Sequence, residues 1–223
     1  MRYGTSKHYE GKKAKSYFAY QNQNAAIGAL LNKEKFINYI KLTDKVLDFG
    51  CGGGWLLSSI SCSKKVGVEV NLEAQEICKK NKIDVRSSIE AIKECDFDVI
   101  ISNHCLEHVP YPIQALLELR DKLRHEGMLV VVVPIDDWRN QKDYTGEDID
   151  HHLHTWTPRL LANTLVEAGY EIERIDILTH AWIPYFPFFL KIMPRFLFNF
   201  TCRVWSFLRR RRQIVAVARN GVK

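Results

Sequence analysis

The stretch Val46-Leu47-Asp48-Phe49-Gly50-Cys51-Gly52-Gly53-Gly54-Trp55-Leu56-Leu57 decides how this chain reads. Its apolar start, Val46 to Phe49, stops at glycines 50, 52, 53 and 54, and apolar residues at helical spacing follow. That order predicts a strand, a tight turn and a helix, with Asp48 just ahead of the turn. Glycine is needed where the backbone takes positive φ or must approach a ligand with no side chain between. The turn is therefore built for a nucleotide-like molecule lying against bare peptide. Dinucleotide sites use a similar turn, so this loop alone leaves the ligand open.

Downstream, Lys65-Val66-Gly67-Val68-Glu69-Val70 is a short apolar strand ending in an acid, 15 residues after Gly54. A carboxylate at that strand tip can accept two hydrogen bonds from a ribose diol. Dinucleotide folds place an acid at the same point, about 20 residues past their glycines. The glycine pattern separates the two, because here it is Asp-x-Gly-x-Gly-x-Gly and not Gly-x-Gly-x-x-Gly. Two further stretches complete the set: Phe97-Asp98-Val99-Ile100-Ile101-Ser102-Asn103-His104-Cys105-Leu106-Glu107-His108-Val109-Pro110, and Leu123-Arg124-His125-Glu126-Gly127-Met128-Leu129-Val130. In order and separation these four resemble the motifs of class I S-adenosylmethionine (SAM) methyltransferases, over roughly residues 40–180.

The resemblance implies a doubly wound α/β fold, Rossmann-like, with a seven-stranded, mostly parallel sheet whose last strand is inserted antiparallel. It also implies the cofactor, SAM, and the residues that hold it. Gly50, Gly52 and Gly54 would contact its amino-acid portion, while Asp48 orients the loop or the SAM ammonium through water. Glu69 would take the ribose hydroxyls, and Val70 either packs on adenine or is plain core. Ser88 and Ile89 fall where the family contacts the adenine ring. Asn103, just past the fourth strand, offers its carbonyl to the methionine ammonium.

The chain has 223 residues, 46% apolar and 26% charged, the composition of a globular protein read as one domain. Six scattered cysteines with no Cys-x-x-Cys pair point to reduced thiols in a cytosol, not to a disulfide frame or zinc site. The Lys-rich start lacks the apolar core of a signal peptide, so a cytoplasmic protein is expected. Net charge is +6, with basic clusters at Lys12, Lys13 and Lys15 and at Arg209 to Arg212. Such modest clusters read as a solvated or membrane-facing surface, and no nucleic-acid partner is expected.

Residues 1–41 read as a helical extension, with one or two helices over 15–41 ahead of the core. Strands are predicted at 83–86, 97–102, 128–133, 170–178 and 213–219. Helices are predicted at 55–60, 72–81, 112–123 and 158–168, with a helical turn at 89–93. The last of the helices is flanked by Thr157-Pro158 and stopped by Ala168-Gly169. Residues 181–212 are additional to the minimal core. From Pro194 to Arg210, polar Arg195, Asn199, Arg203, Ser206 and Arg210 recur at helical spacing, with Phe196, Leu197, Phe200, Val204, Phe207 and Leu208 between them. Two readings stand: a lid or dimer patch that packs on the protein itself, or a helix over 194–212 lying on a membrane as a peripheral contact. Prolines and charges argue against a transmembrane span.

Methyl transfer is an in-line displacement beside a sulfonium, and the acceptor needs alignment and, where its acidity is low, a base. His104, at the mouth of the fourth strand, and His154 are the candidate catalytic residues, with His108 and Asp136 as further bases. His104 serves equally well as a hydrogen-bonded wall histidine. The His154-Thr155-Trp156-Thr157-Pro158 stretch is expected to close over donor and acceptor. His104-x-x-Glu107-His108 resembles the Glu-x-x-Glu-His metal cluster of ubiquinone-pathway O-methyltransferases, with His104 replacing the first Glu, and no metal is expected. The expected reaction is O-methylation of a small-molecule or glycan acceptor, with a lipid-linked acceptor of surface-polysaccharide synthesis as its finer form. The alternatives are a membrane-associated, metal-dependent quinone-type O-methyltransferase and a non-catalytic SAM-binding module. A homodimer is among the expected partners.

Overall fold

Apolar residues in near-continuous runs, punctuated by glycine turns and capped helices, demand strands buried on both faces. The computed structural model describes residues 24–137 and 150–221, together with 4, 6–9, 15, 18, 19, 22, 139, 142, 143 and 148. Residues 16, 17, 20, 21 and 23 of the expected helical stretch 15–41, and residues 138, 140, 141, 144–147 and 149 of the 135–155 loop, lie outside the described residues. In chain order the elements are α1 (Ala25–Asn32), β1 (Lys45–Phe49), α2 (Trp55–Ser59), β2 (Lys64–Val68), α3 (Leu72–Lys80), β3 (Asp84–Arg86) and β4 (Phe97–Asn103). Then come α4 (Pro112–Arg120), β5 (Leu123–Ile135), α5 (Pro158–Glu167), β6 (Tyr170–Leu178), α6 (Phe186–Ile192), α7 (Arg195–Leu208) and β7 (Arg212–Asn220). Short 3-10 turns occupy Lys7–Tyr9, Lys33–Lys35, Ile37–Tyr39 and Leu106–His108.

The seven strands run in the order β3-β2-β1-β4-β5-β7-β6. β1 pairs in parallel with β2 and β4, and β4 with β5, whereas β7 runs antiparallel between β5 and β6. The resemblance implied this arrangement, and the sheet has it. Strand alternation sorts side chains into two cores: Leu47, Phe49, Leu129, Val131 and Val133 enter one, Val46, Val130 and Val132 the other. The sheet's order reverses between β1 and β4, whose carboxyl ends open the crevice used by ligands in such folds.

Most element boundaries match the sequence expectation within a residue or two. The exceptions have local causes. α4 stops at Arg120, where Asp121 and Lys122 form a turn, so Leu123 becomes a strand residue paired with Phe97. The register then jumps to Val99 opposite Met128, and Arg124, His125 and Glu126 bulge into solvent. The expected helical turn at 89–93 is a single turn closed by Ile92 N–H on Ile89 O. Thr157 caps α5 through Leu160 N–H, and Gly169 ends it at φ 81°.

The 181–212 segment corrects the sequence reading. It forms two helices, and α7 buries Phe198, Cys202 and Ser206, a stripe at i, i+4 and i+8, against Leu31 of α1 and the α6 segment. The apolar positions expected to pack on the protein itself face outward, and Ser206, expected on the polar face, is buried. The Trp182 ring lies over Gly28, where a Cβ would come within 2.9 Å of it. With Phe198, Cys202 and Ser206 turned inward, Phe196, Phe200, Val204 and Phe207 are left outside.

Candidate functional site

Gly50, Gly52 and Gly54 take φ of 79°, 54° and 72°, the left-handed backbone expected of the loop. The loop is tied to β2 because Gly50 N–H and Cys51 N–H both donate to Val68 O, at 2.9 and 3.1 Å. Behind it, Cys78 Sγ donates to Gly52 O and Asn81 Nδ2 to Gly53 O. A Cβ on Gly50 would sit 2.3 Å from Cys105 Sγ, whereas one on Gly52 would meet nothing within 4 Å. Gly50 is thus a packing position and Gly52 opens onto free space.

Glu69 lies across the loop. Gly52 N–H donates to its Oε2 and Asn71 N–H to its Oε1, both at 2.8 Å. Burial raises its carboxyl above the usual range, against the backbone N–H bonds that favour the charged form. Asp48, beneath the loop, is 1% exposed, and its Oδ2 has no hydrogen-bond partner among the described residues. Burial first and the Glu69 charge second push its carboxyl up to about 7. An orphaned carboxylate under an open glycine backbone fits a ligand that carries positive charge.

On the other side of the crevice, His104 ends β4 in a left-handed conformation at φ 53° and donates its N–H to Val132 O. Its Nε2 is 3.0 Å from Gln213 Oε1 at the start of β7. Gln213 Nε2 donates to His180 O at 2.8 Å, so the amide oxygen faces His104 and also accepts from Lys35 Nζ at 2.6 Å. His104 Nε2 therefore carries a proton. Lys35 Nζ also lies 3.4 Å from Asn103 Oδ1, and burial lowers its ammonium to about 7. Below these groups sits Glu107, fully buried, with neither carboxylate oxygen hydrogen-bonded among the described residues. His104 Nδ1 is 3.5 Å and His108 Nε2 3.9 Å from Glu107 Oε1. Burial works to raise the Glu107 carboxyl, but these imidazoles outweigh it and hold the group below its ordinary value.

The Asp150–His154 run splits. His151, at φ 50°, stacks on His8, while His152 Nδ1 lies 2.9 Å from Asp136 Oδ2. Leu153 and His154 N–H groups donate to Glu107 O, and His154 Nε2 donates to Val109 O at 2.9 Å. Tyr9 donates its hydroxyl to Asp150 O and accepts from His108 Nδ1 at 2.6 Å. Glu107, His108 and His152 bring one ligand atom each within 4.8 Å of one another.

A pocket at the crevice is lined by Phe49, Gly50, Val68, Glu69, Val70, His104, Cys105, His108, Val109 and Pro110, and roofed by Gly4, Ser6 and Tyr9. Of the residues singled out from sequence, it gathers Gly50, Glu69, Val70, His104 and His108. Gly52 and Gly54 continue the loop beyond it, with Gly54 at the N-cap of α2. Ile89 is fully buried in the core, and neither it nor Ser88 lines the pocket. Asn103 faces Lys35, and His154 stands behind the wall, gripping the 106–109 turn. Sequence reading missed Lys35, Gln213, Cys105 and the N-terminal roof. Lys35, Gln213 and the roof are distant in sequence from the motifs and carry no pattern of their own. Cys105 stands inside the 97–110 stretch, where only its contact with the glycine loop gives it a role.

A family model described as a methyltransferase domain matches residues 18–175. Ubiquinone biosynthesis O-methyltransferase of Haemophilus ducreyi is 31% identical over 122 residues, covering 45% of this chain and 51% of that protein. The mitochondrial enzyme of the same name from Candida albicans is 32% identical over 114 residues, 44% of this chain and 34% of its own length. The chain thus spans about half or less of these curated relatives. Among solved structures, a SAM-dependent methyltransferase from Archaeoglobus fulgidus superposes with TM-score 0.63 at 18% identity, covering 91% of this chain and 99% of that one. The plantazolicin methyltransferase BpumL, solved with S-adenosylhomocysteine, gives TM-score 0.64 at 18% identity over 96% of this chain and 91% of its own.

Proposed function

This chain belongs to the methyltransferase-domain family, and we propose that it is a SAM-dependent enzyme that methylates an oxygen of a small-molecule or glycan acceptor bearing an apolar part. Bound SAM supplies an electrophilic methyl group on a sulfonium. Gly50, Gly52 and Gly54 would hold its amino-acid end, with the buried Asp48 carboxylate balancing positive charge and Glu69 holding the ribose. Val70 lines the pocket where a flat ring would pack. Ser88, Ile89 and Asn103 would act only by supporting the walls, since they stand off the pocket.

The observation that carries the oxygen-acceptor reading is His104 on the pocket wall, with its Nδ1 3.5 Å from the buried Glu107 carboxylate. With Nε2–H given to Gln213, Nδ1 is the atom that takes the acceptor's proton, and Glu107 beside it stabilises the resulting charge. His154 then serves as a positioning residue, clamping the turn that carries Glu107 and His108. The apolar lining from Phe49, Val68, Val109 and Pro110 suits an acceptor with a ring or chain next to its hydroxyl. The test is formation of S-adenosylhomocysteine with a panel of hydroxylated glycans, phenols and lipid-linked sugars. We expect His104→Gln to cut kcat by about 10²–10⁴ while SAM affinity holds. Full turnover by that variant removes His104 from the reaction.

A second reading is favoured by one observation, the Glu107–His108–His152 group. Tyr9 accepts a hydrogen bond from His108 Nδ1 and Asp136 Oδ2 one from His152 Nδ1, which favours for each histidine the tautomer that coordinates through Nε2. Two imidazoles and one carboxylate suit Zn²⁺ or Mn²⁺ better than Mg²⁺. A cation there would polarise the acceptor oxygen. Dialysis against chelator distinguishes the readings: loss of turnover with unchanged SAM binding, restored by added Zn²⁺ or Mn²⁺, supports the metal.

A further inference from the structure

Among the described residues, the outward face of α6 and α7 has no partner, and its composition is its own. Tyr185, Phe188 and Ile192 stand at i, i+3 and i+7, and Phe196, Phe200, Val204 and Phe207 carry the same side onward along α7. Phe196 is 76% exposed and Phe207 66%, values far from those of core phenylalanines such as Phe198, which is fully buried. Singly exposed apolar residues are ordinary, but a continuous aromatic row on two consecutive helices is not. The helices themselves are firmly seated by their inner stripe, so the row is presented on a rigid base.

Charge chooses the occupant. After Asp176 the sequence contains no Asp or Glu, yet it holds Lys191, Arg195, Arg203, Arg209, Arg210, Arg211, Arg212, Arg219 and Lys223. Arg203, Arg209, Arg211 and Arg212 are exposed at the edge and end of α7. Glu34 pairs with Arg195 and Asp137 lies beside Arg210, but Arg203, Arg209, Arg211 and Arg212 leave the edge of the row with an excess of positive charge. Such a row matches the boundary of an anionic bilayer, with apolar groups at acyl depth and guanidinium groups among headgroups. A self-complementary contact between copies would set these arginines against one another. No described helix is long and apolar enough to cross a membrane, which leaves surface attachment.

We infer that the α6–α7 face docks the protein on an anionic lipid bilayer. The two ends of the docked segment converge on the reaction site: His180 and Gln213 are hydrogen-bonded to each other, and Gln213 touches His104. A bilayer under α6–α7 therefore lies next to the acceptor side of the pocket. The inference stands on the surface alone and is independent of which atom is methylated.

The test is flotation of the full chain with vesicles of phosphatidylcholine, with and without about one-third phosphatidylserine. The native chain should float with the anionic vesicles and not with the neutral ones, and raised salt should weaken the binding. The triple variant Arg209→Gln/Arg211→Gln/Arg212→Gln should bind at least about tenfold less, as should Phe196→Ser/Phe200→Ser/Phe207→Ser. These side chains are exposed, so both variants should keep the native Tm and SAM affinity, which shows that they fold. Equal binding to neutral and anionic vesicles, or variants that bind like the native chain, would overturn the inference. So would a homodimer by light scattering that the phenylalanine variant dissolves while vesicles capture neither protein.

Discussion

Asp48 and Gly50 carry the argument at the scale of single residues. The Asp48 carboxyl titrates near 7 in the folded chain against an ordinary value of 3.8, so between these values the folded state binds more protons than the unfolded. Stability of the ligand-free protein should therefore be full at the acid end of that window and fall as pH rises through about 7. Melting curves between pH 5 and 8 should show a falling Tm for the native chain and a flatter profile for Asp48→Asn, with a steep profile in both excluding Asp48 as the source. Cationic SAM favours the ionised carboxylate, so its affinity should rise over the same range and this rise should vanish in Asp48→Asn. At Gly50 both strain and space oppose a side chain, since φ is 79° and Cys105 Sγ occupies the Cβ position. Gly50→Ala should weaken SAM binding by about tenfold or more in calorimetry. Gly52→Ala, strained in backbone but facing open space, should cost less in stability than Gly50→Ala. Hydrophobic patterning makes Gly50 and Gly52 alike, and only Cys105, two residues past the end of β4, separates them.

Among the elements, α7 gives the sharpest contrast between buried and exposed aromatics of one type. Phe198→Ala empties a fully buried site beside Leu31 and Cys202 and should destabilise the protein by about 3–5 kcal/mol. Phe200→Ala, two residues on and 62% exposed, should fall within about 0.5 kcal/mol of native. Denaturant titration of both variants checks this, and equal losses would mean that the outward face is covered. The helix shows why period alone misassigned the face. Apolar residues ring most of α7, and Ser206 is drawn inside because its Oγ bonds Arg211 O, closing the turn into β7. α5 was easier to read: its Thr157 cap, Pro158 and Gly169 stop are local rules acting on adjacent residues.

For the molecule as a whole, the antiparallel insertion of β7 between β5 and β6 brings Gln213 across the sheet to His104 and Lys35, 109 and 178 residues away. That amide ties the acceptor wall, the α1 region and the α6–α7 segment together. Gln213→Leu should lower kcat by about 10²-fold, shift the pH–rate profile and leave SAM affinity near native, because the loop and Glu69 do not touch it. If SAM binding fell as far as turnover, Gln213 would be a structural member of the whole crevice and not a positioning residue for His104.

The chain's own order of residues was enough to establish the strand–loop–helix around Gly50, the acid after β2, the capped α5 and the alternation that makes a doubly wound sheet. Those features follow from backbone sterics and from hydrophobic period, which act over a few residues and leave local marks. Tertiary structure alone decided that Glu69 is clamped by Gly52 and Asn71, that Glu107 is buried beside two histidines, and that α7 turns its aromatic row outward. Each of these depends on contacts between distant segments, such as Trp182 with Gly28 or Gln213 with His104, and packing between segments far apart in sequence leaves no periodic trace in either of them.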